Sequence, residues 1–244
     1  RDVVINSIAR DELNTRTGIS PTVLPNIFDF SQSPGEKDEF NKHLRRELGL
    51  GDDEIFFLQP TRVVPRKSIE KSIDLLAKLP CPAKLFITHE AGDEGMDYLR
   101  HLQSRAKERD VDFRYVAYKF GPGRSENGRK IYSLWDAYLN ADFVTYPSIK
   151  EGFGNALLET IYFKLPALVN RYPVYKADIG PLGFKFVEIE GKVTSSTAED
   201  VMEILSNKDI RSEMVENNFR LARKNFSYET GRKRLNELIE SLDL

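Results

Sequence analysis

Two stretches bring together residue types suited to gripping an anion. The first is Thr61-Arg62-Val63-Val64-Pro65-Arg66-Lys67-Ser68, which follows an apolar run of strand length and leads into a helical pattern. Pro65 suits the first turn of that helix, where a missing N–H costs nothing. Arg62, Arg66 and Lys67 then crowd three cations at a helix N-terminus, an end that already carries about half an elementary positive charge. An anion such as a diphosphate would reconcile them; a solvated basic loop would have the same composition. The second stretch runs from Tyr146 to Glu159 through Glu151-Gly152-Phe153-Gly154-Asn155-Ala156. Its two glycines let the backbone approach a ligand closely. The free N–H groups of Gly154, Asn155 and Ala156, at the start of a helix, suit a phosphate. Taken singly, Glu151 reads equally as compensation of the helix dipole and Glu159 as a solvated helix residue.

Both stretches follow strand-like segments. Strands are predicted at Val3–Asn6, Glu54–Gln59, Lys84–Thr88, Asp112–Ala117, Asp142–Tyr146, Ala167–Asn170 and Lys185–Glu188. Between them lie helical patterns, such as Ser68–Leu79 with Ile69, Ile73, Leu76 and Leu79 on one face, and the polar Met96–Arg109. Alternation of this kind predicts an α/β fold, a Rossmann-like, doubly wound parallel sheet. Ligands bind such sheets beyond the carboxyl ends of the strands, where both stretches fall. From Thr197 to Leu242 only helices are predicted: one around Val201, Ile204 and Leu205, one from Met214 to Phe226, and one carrying Leu235, Leu238, Ile239 and Leu242. This is a helical C-terminal tail. Residues 1–35 read as the end of a preceding domain and a connection, and residues 36–244 as the nucleotide-binding domain.

Taken together, Arg62-x4-Lys67 and the later Glu151-Gly-Phe-Gly-x4-Glu159 resemble the donor-binding motifs of the GT-B glycosyltransferases, specifically retaining family 4 (group 1). Leu24-Pro25-Asn26-x-x-Asp29 looks like the P-N-x-x-D segment at the entrance to that family's C-terminal domain. The resemblance implies the C-terminal, donor-binding half of a GT-B enzyme. It would transfer a hexose from a nucleoside-diphosphate sugar to an acceptor hydroxyl, with retention. Arg62 and Lys67 would hold the diphosphate and stabilise the leaving group. Glu151 would contact the sugar, and Glu159 the ribose hydroxyls. The N–H groups of Gly152, Phe153 and Gly154 would hold the sugar, those of Asn155 and Ala156 the phosphates, and Tyr118 would lie near the nucleobase. The partners implied are the nucleotide-sugar donor, an acceptor of unknown identity and an N-terminal domain. Charge developing on the departing diphosphate is met by fixed cations, so no metal or other cofactor is required.

Several positions depart from the family pattern. Thr61 and Ser68 stand where glycine is common; the Ser68 hydroxyl is expected to cap the helix or touch phosphate. Ile27-Phe28 replaces Gly-Val, and Asn170-Arg171-Tyr172-Pro173-Val174-Tyr175 replaces a Gly-Gly loop, with Tyr172 and Tyr175 read as packing. Trp135 and Tyr138 are expected on a buried helix face, and Gly121–Gly128 reads as a flexible loop, a surface connection in preference to a cover over the nucleotide base.

Composition narrows the remaining classes. The chain has 244 residues, 36 Lys+Arg against 38 Asp+Glu, one cysteine (Cys81) and three histidines. The charge balance argues against a nucleic-acid binder, and no apolar run is long enough to span a bilayer. One cysteine excludes an internal disulfide or a cysteine-cluster metal site, and a cytoplasmic setting is expected. His43, His89 and His101 are read as surface or packing residues, and Asp110-Val111-Asp112 as a solvated turn at the wrong end of the sheet. The alternatives are a nucleotide-sugar 2-epimerase-like isomerase and a non-catalytic nucleotide-sugar-binding module. A dinucleotide fingerprint G-x-G-x-x-G after the first strands is missing, which counts against a plain NAD binder.

Overall fold

Strand residues alternate between two apolar faces. Phe56 and Leu58 join a core that also holds Val144, Tyr146, Ala167 and Val169, while Phe57 joins Leu85, Ile87, Phe143 and Leu168 on the other side. Helices cover both sides, so the sheet is doubly wound. The computed structural model describes residues 2–241.

In chain order, β1 (Val3–Val4), α1 (Ser7–Thr17), β2 (Thr22–Val23) and α2 (Leu44–Glu47) precede β3 (Ile55–Gln59), α3 (Glu70–Leu76), β4 (Ala83–Ile87), α4 (Gly92–Glu108) and β5 (Asp112–Tyr115). Then come β6 (Phe120–Gly121), β7 (Tyr132–Ser133), α5 (Leu134–Asn140), β8 (Phe143–Tyr146), α6 (Asn155–Tyr162), β9 (Ala167–Asn170) and β10 (Val187–Ile189). The tail is α7 (Ser195–Ser206), α8 (Lys208–Phe226) and α9 (Tyr228–Glu240). Among the described residues, one six-stranded sheet has the order β10-β9-β8-β3-β4-β5 with every neighbouring pair parallel. From β3 the chain winds outward through β4 and β5, then returns to the other side of β3 as β8. The carboxyl ends of β3 and β8 thus lie side by side at the point where the winding reverses, the usual place for a ligand.

The core is rich in aromatic rings. Phe56 and Phe86 approach to 4.5 Å between centroids, and Phe57 and Phe143 to 5.3 Å. Burying each such side chain is worth on the order of 2 kcal/mol. In the tail, α7 contributes Ala198, Val201 and Ile204 to one face, and α8 contributes Ala222 and Phe226 to the other. The Phe28 N–H donates to the Phe226 carbonyl at 2.8 Å, so the entrance segment lies against the end of α8. Of α9, only Gly231 is buried, against Ile27; Leu235 and Ile239 stay exposed. Leu242, expected on the same face, lies outside the described residues.

Val3–Val4 is extended, as expected, and pairs in parallel with Thr22–Val23 outside the main sheet. The segment after it is a capped helix, α1, with no apolar period to predict it: none of its residues is buried. Two expectations change. The helix expected from Ser68 begins at Glu70, because Ser68 has φ 53 and breaks the turn at Pro65–Lys67 from α3. Trp135 is 46% exposed, whereas Tyr138 on the same helix is buried as expected. Asp112 opens β5, so Asp110-Val111-Asp112 does lie at the amino end of the sheet.

Candidate active site

The loop after β3 is fixed from below by a buried polar network. Gln59 donates to the Thr61 hydroxyl at 2.8 Å and accepts from Ser72 and Thr145 at 2.9 and 2.7 Å. All four side chains are buried, so the hydroxyl at Thr61 is a loop anchor. Val63 inserts into the core. The turn Pro65–Lys67 follows and ends at Ser68, whose left-handed backbone is one that favours glycine. The Ser68 hydroxyl donates to Glu70 at 2.8 Å and accepts from Lys71. It therefore neither caps α3 nor reaches the cleft, contrary to expectation. The three cations stand around this turn and not at the tip of a continuous helix.

Arg66 and Lys67 bridge to the loop after β8. The Ile149 N–H donates to the Arg66 carbonyl at 2.9 Å, and the Arg66 guanidinium donates to the Lys150 carbonyl and to Glu151, both at 3.1 Å. The Lys67 ammonium bonds the other oxygen of Glu151. Burial works against the Glu151 charge, but the Lys67 ammonium, together with the Ser148 and Tyr146 hydroxyls, outweighs it and holds the carboxyl below its ordinary range. Burial pushes the Lys67 ammonium down, Glu151 pulls it back, and Arg66 and Arg62 add to the lowering.

Beyond Glu151 the features that line the cleft are mostly those of the backbone. Phe153 packs edge-on against Phe226 at 5.1 Å, which ties the loop to α8. Gly154 has φ 129, and a Cβ there would sit 2.8 Å from the Tyr172 hydroxyl. That hydroxyl donates to the Phe153 carbonyl at 2.7 Å, so Tyr172 is a packing residue that also shapes the loop. The amide N–H groups of residues 152 to 156 find no acceptor among the described residues. Phe153 and Gly154 are buried, Ala156 is half-buried, and Gly152 and Asn155 are exposed; free amides leading into a helix N-terminus offer consecutive donors of the kind that suit an anion. Asn155 accepts from Asn26, in the entrance segment, at 2.5 Å. One turn into α6, Glu159 accepts from the Tyr138 hydroxyl at 2.9 Å, and burial pushes its carboxyl above the ordinary range.

These groups share one cleft of about 370 Å³. Arg62, Lys67, Glu151, Gly152, Phe153, Gly154, Asn155, Ala156 and Glu159 all line it. Tyr118 does not: it is 51% exposed and lies under the Arg129 guanidinium, 4.3 Å from the ring centre. Its neighbours Ala117 and Phe120 instead line an adjoining cavity of about 840 Å³, which shares His89 and Leu134 with the first. Trp135 lines that second cavity. So do Gly121, Pro122 and Arg124, the last pinned by Asp136 and Asp38. The segment read as a surface connection is thus part of a cavity wall.

His89 was expected as a surface or packing residue, yet it borders both cavities. Burial lowers its pKa, and the charges of Lys67 and Arg62 lower it further. The sequence offered no motif for it; only its place just after β4 placed it near the switch point. Ile5 and Asn6 also reach the loop after β8, and the pattern Asn6-Ser7 ahead of a polar helix was their one local signal. Among the described residues, no group of three or more His, Cys, Asp or Glu side chains is disposed to hold a metal ion, and no helix is long and apolar enough to cross a membrane.

Comparison with known proteins agrees with this architecture. The family described as Glycosyl transferases group 1 matches residues 40–221. Mannosylglucosylglycerate synthase of Petrotoga mobilis is 39% identical over 208 residues, which cover 78% of this chain and 48% of that protein. The protein of the same name from Thermotoga maritima is 34% identical over 259 residues, covering 94% of this chain and 58% of that protein. The chain therefore spans about half the length of these curated relatives. Anabaena Alr3699/HepE, solved with UDP and glucose, has a TM-score of 0.75 at 16% identity, over 98% of this chain and 62% of its own. WaaG, a glycosyltransferase involved in lipopolysaccharide biosynthesis, has a TM-score of 0.67 at 19% identity, over 95% and 60%. At those identities the two structures speak to the fold. With three quarters of its length matched by the family, the chain belongs to the glycosyl transferases of group 1.

Proposed function

We propose that this chain is the donor-binding half of a retaining, family 4 glycosyltransferase of GT-B architecture. It binds a nucleoside-diphosphate sugar and, together with an N-terminal domain, transfers the hexose to an acceptor hydroxyl. The observation that carries the reading is the one cleft that Arg62 and Lys67 share with the amides of residues 152 to 156, which find no acceptor among the described residues. The diphosphate lies between the cations and the amides of Asn155 and Ala156. The sugar lies against Gly152, Phe153, Gly154 and Glu151, and the ribose against Glu159. Residues 1–35 belong to the preceding domain and its connection.

The chemistry follows from the charges. As the glycosidic bond to the diphosphate breaks, negative charge grows on the departing oxygen. Fixed cations and oriented amides hold that charge more tightly than the ground state, which lowers the barrier. Glu151 keeps Lys67 charged and aimed into the cleft. With this positive charge in place, the transfer is read as needing no metal cofactor. The relatives' shared name, mannosylglucosylglycerate synthase, describes two hexoses on glycerate, so the acceptor is read as a small glycosylated hydroxy acid. A lone cysteine is consistent with a cytoplasmic setting.

Calorimetric titration of the chain with UDP, GDP and ADP, each alone and as a hexose conjugate, tests the donor role. Binding of one nucleotide and its conjugate is expected, with weaker binding in Arg62→Ala. No binding across the panel would refute the reading. Product analysis on the complete enzyme separates a new glycoside from an epimerised sugar.

A further inference from the structure

Asn6 stands just ahead of α1, and only 6% of it is exposed. Its two side-chain atoms serve different partners. Oδ1 accepts from the Ala9 N–H at 2.7 Å and so caps α1. Nδ2 donates to the carbonyl of Gly152 at 2.6 Å, across 146 residues of sequence. Capping uses only an oxygen, and serine or aspartate provides one as well as asparagine does. The bond to Gly152 adds nothing to the cap; its effect falls on the cleft.

A peptide unit is planar, with its C=O and N–H pointing in opposite directions. A Gly152 carbonyl drawn to Asn6 therefore turns the Phe153 N–H the other way. The next unit is held likewise, its Phe153 carbonyl taken by the Tyr172 hydroxyl. Two successive peptide planes are thus pinned from behind by side chains distant in sequence. Their N–H groups, on Phe153 and Gly154, are among those with no acceptor in the described residues. Gly152 needs such a clamp, because glycine is the residue freest to rotate. The clamp is itself held firmly. The Ser7 N–H donates to Asp178 at 2.8 Å, β1 pairs with β2, and the Ile5 methyl lies 3.1 Å from where a Gly152 Cβ would be.

We infer that Asn6 is a positioning residue for the donor, which sets the Gly152–Phe153 peptide so that its N–H faces the sugar end of the cleft. This rests on the reading of the cleft as a nucleotide-sugar site. It carries a consequence that helix capping does not: Asn6 matters for the sugar conjugate and not for the bare nucleoside diphosphate.

Asn6→Ser and Asn6→Asp separate the two roles. Both retain a capping oxygen; serine is too short to reach Gly152, and an ionised aspartate has no hydrogen to give. The 244-residue chain and both variants are titrated with UDP, GDP and ADP, and with UDP-glucose, GDP-mannose and ADP-glucose, and their melting is followed in parallel. Melting is expected to fall by a few degrees with the lost bond to Gly152, further in Asn6→Asp, while affinity for the bare diphosphate, measured well below the melting range, changes by less than about twofold. Loss of one hydrogen-bond contribution weakens the conjugate by about five- to tenfold. Asn6→Asp is the more severe, since its carboxylate faces a carbonyl. A conjugate-to-diphosphate affinity ratio unchanged in both variants overturns the role of Asn6 and leaves the donor reading intact. A chain that binds none of the six compounds removes both.

Discussion

Lys67 and Glu151, 84 residues apart in sequence, form an ion pair in which both side chains are more than nine-tenths buried. The pair joins the loops after β3 and β8, and so couples the two halves of the cleft. Its position at the reversal of the sheet explains why a cation can be kept there at all. Two neighbouring strand ends bring the loops together, and each loop supplies what the other lacks.

Removing one partner of such a pair leaves the other charge buried. Lys67→Ala leaves Glu151 with Arg66 alone, and is expected to cost about 2–3 kcal/mol of stability in denaturant unfolding. It should also abolish measurable diphosphate binding. Adding Glu151→Gln to Lys67→Ala removes the stranded charge and recovers most of the stability, with no recovery of binding. Full-strength binding by Lys67→Ala would remove that side chain from the diphosphate site.

Glu159 behaves differently, because burial raises its carboxyl above the ordinary 4.5. The folded chain holds that proton more firmly than the unfolded one. Its contribution to stability is therefore greatest below pH 4.5 and is lost as the pH rises through the folded-state value. Glu159→Gln should melt higher than the unsubstituted chain at neutral pH, with the gap closing on acidification. Binding moves the opposite way, with about a tenfold loss for the ribonucleotide and a smaller loss for its deoxy analogue. A melting difference independent of pH would sink this account.

His89 supplies a pH signature for binding. Burial and the charges of Lys67 and Arg62 hold its pKa below 6.5, so it is neutral at neutral pH. An anion placed between those cations cancels their field and draws the imidazole pKa up. Binding then takes up protons, and affinity rises as the pH falls toward the histidine range. A nucleotide sugar is the proper ligand for the measurement, since its diphosphate has no proton to exchange there. Titration in buffers of differing ionisation enthalpy should detect uptake in the unsubstituted chain and none in His89→Asn. Equal uptake in both would assign the proton elsewhere.

Much of this was legible in the residues. The central strands carry runs such as Ile55–Gln59 and Phe143–Tyr146 that only a buried parallel sheet accommodates, and their ends located both loops. Nine of the ten expected site residues line one cleft because they lie on those loops or on the start of α6, which the second loop leads into. Tyr118 missed it, since a strand end fixes the place of a loop and not the direction of each side chain along it. His89 was hidden because a single imidazole has no spacing to read. Asn6 was hidden because its partner, Gly152, lies 146 residues away and is contacted at its carbonyl, which every residue type possesses. Helix α1 escaped notice because it buries nothing and so writes no apolar period.

The cradle at residues 152 to 156 has one last consequence. It is made of main-chain hydrogens, so an alanine scan reads only the packing of Phe153 and the space at Gly152 and Gly154, never the amides themselves. Replacing single peptide links by esters removes one N–H at a time and leaves every side chain in place, and so isolates the cradle from the packing around it.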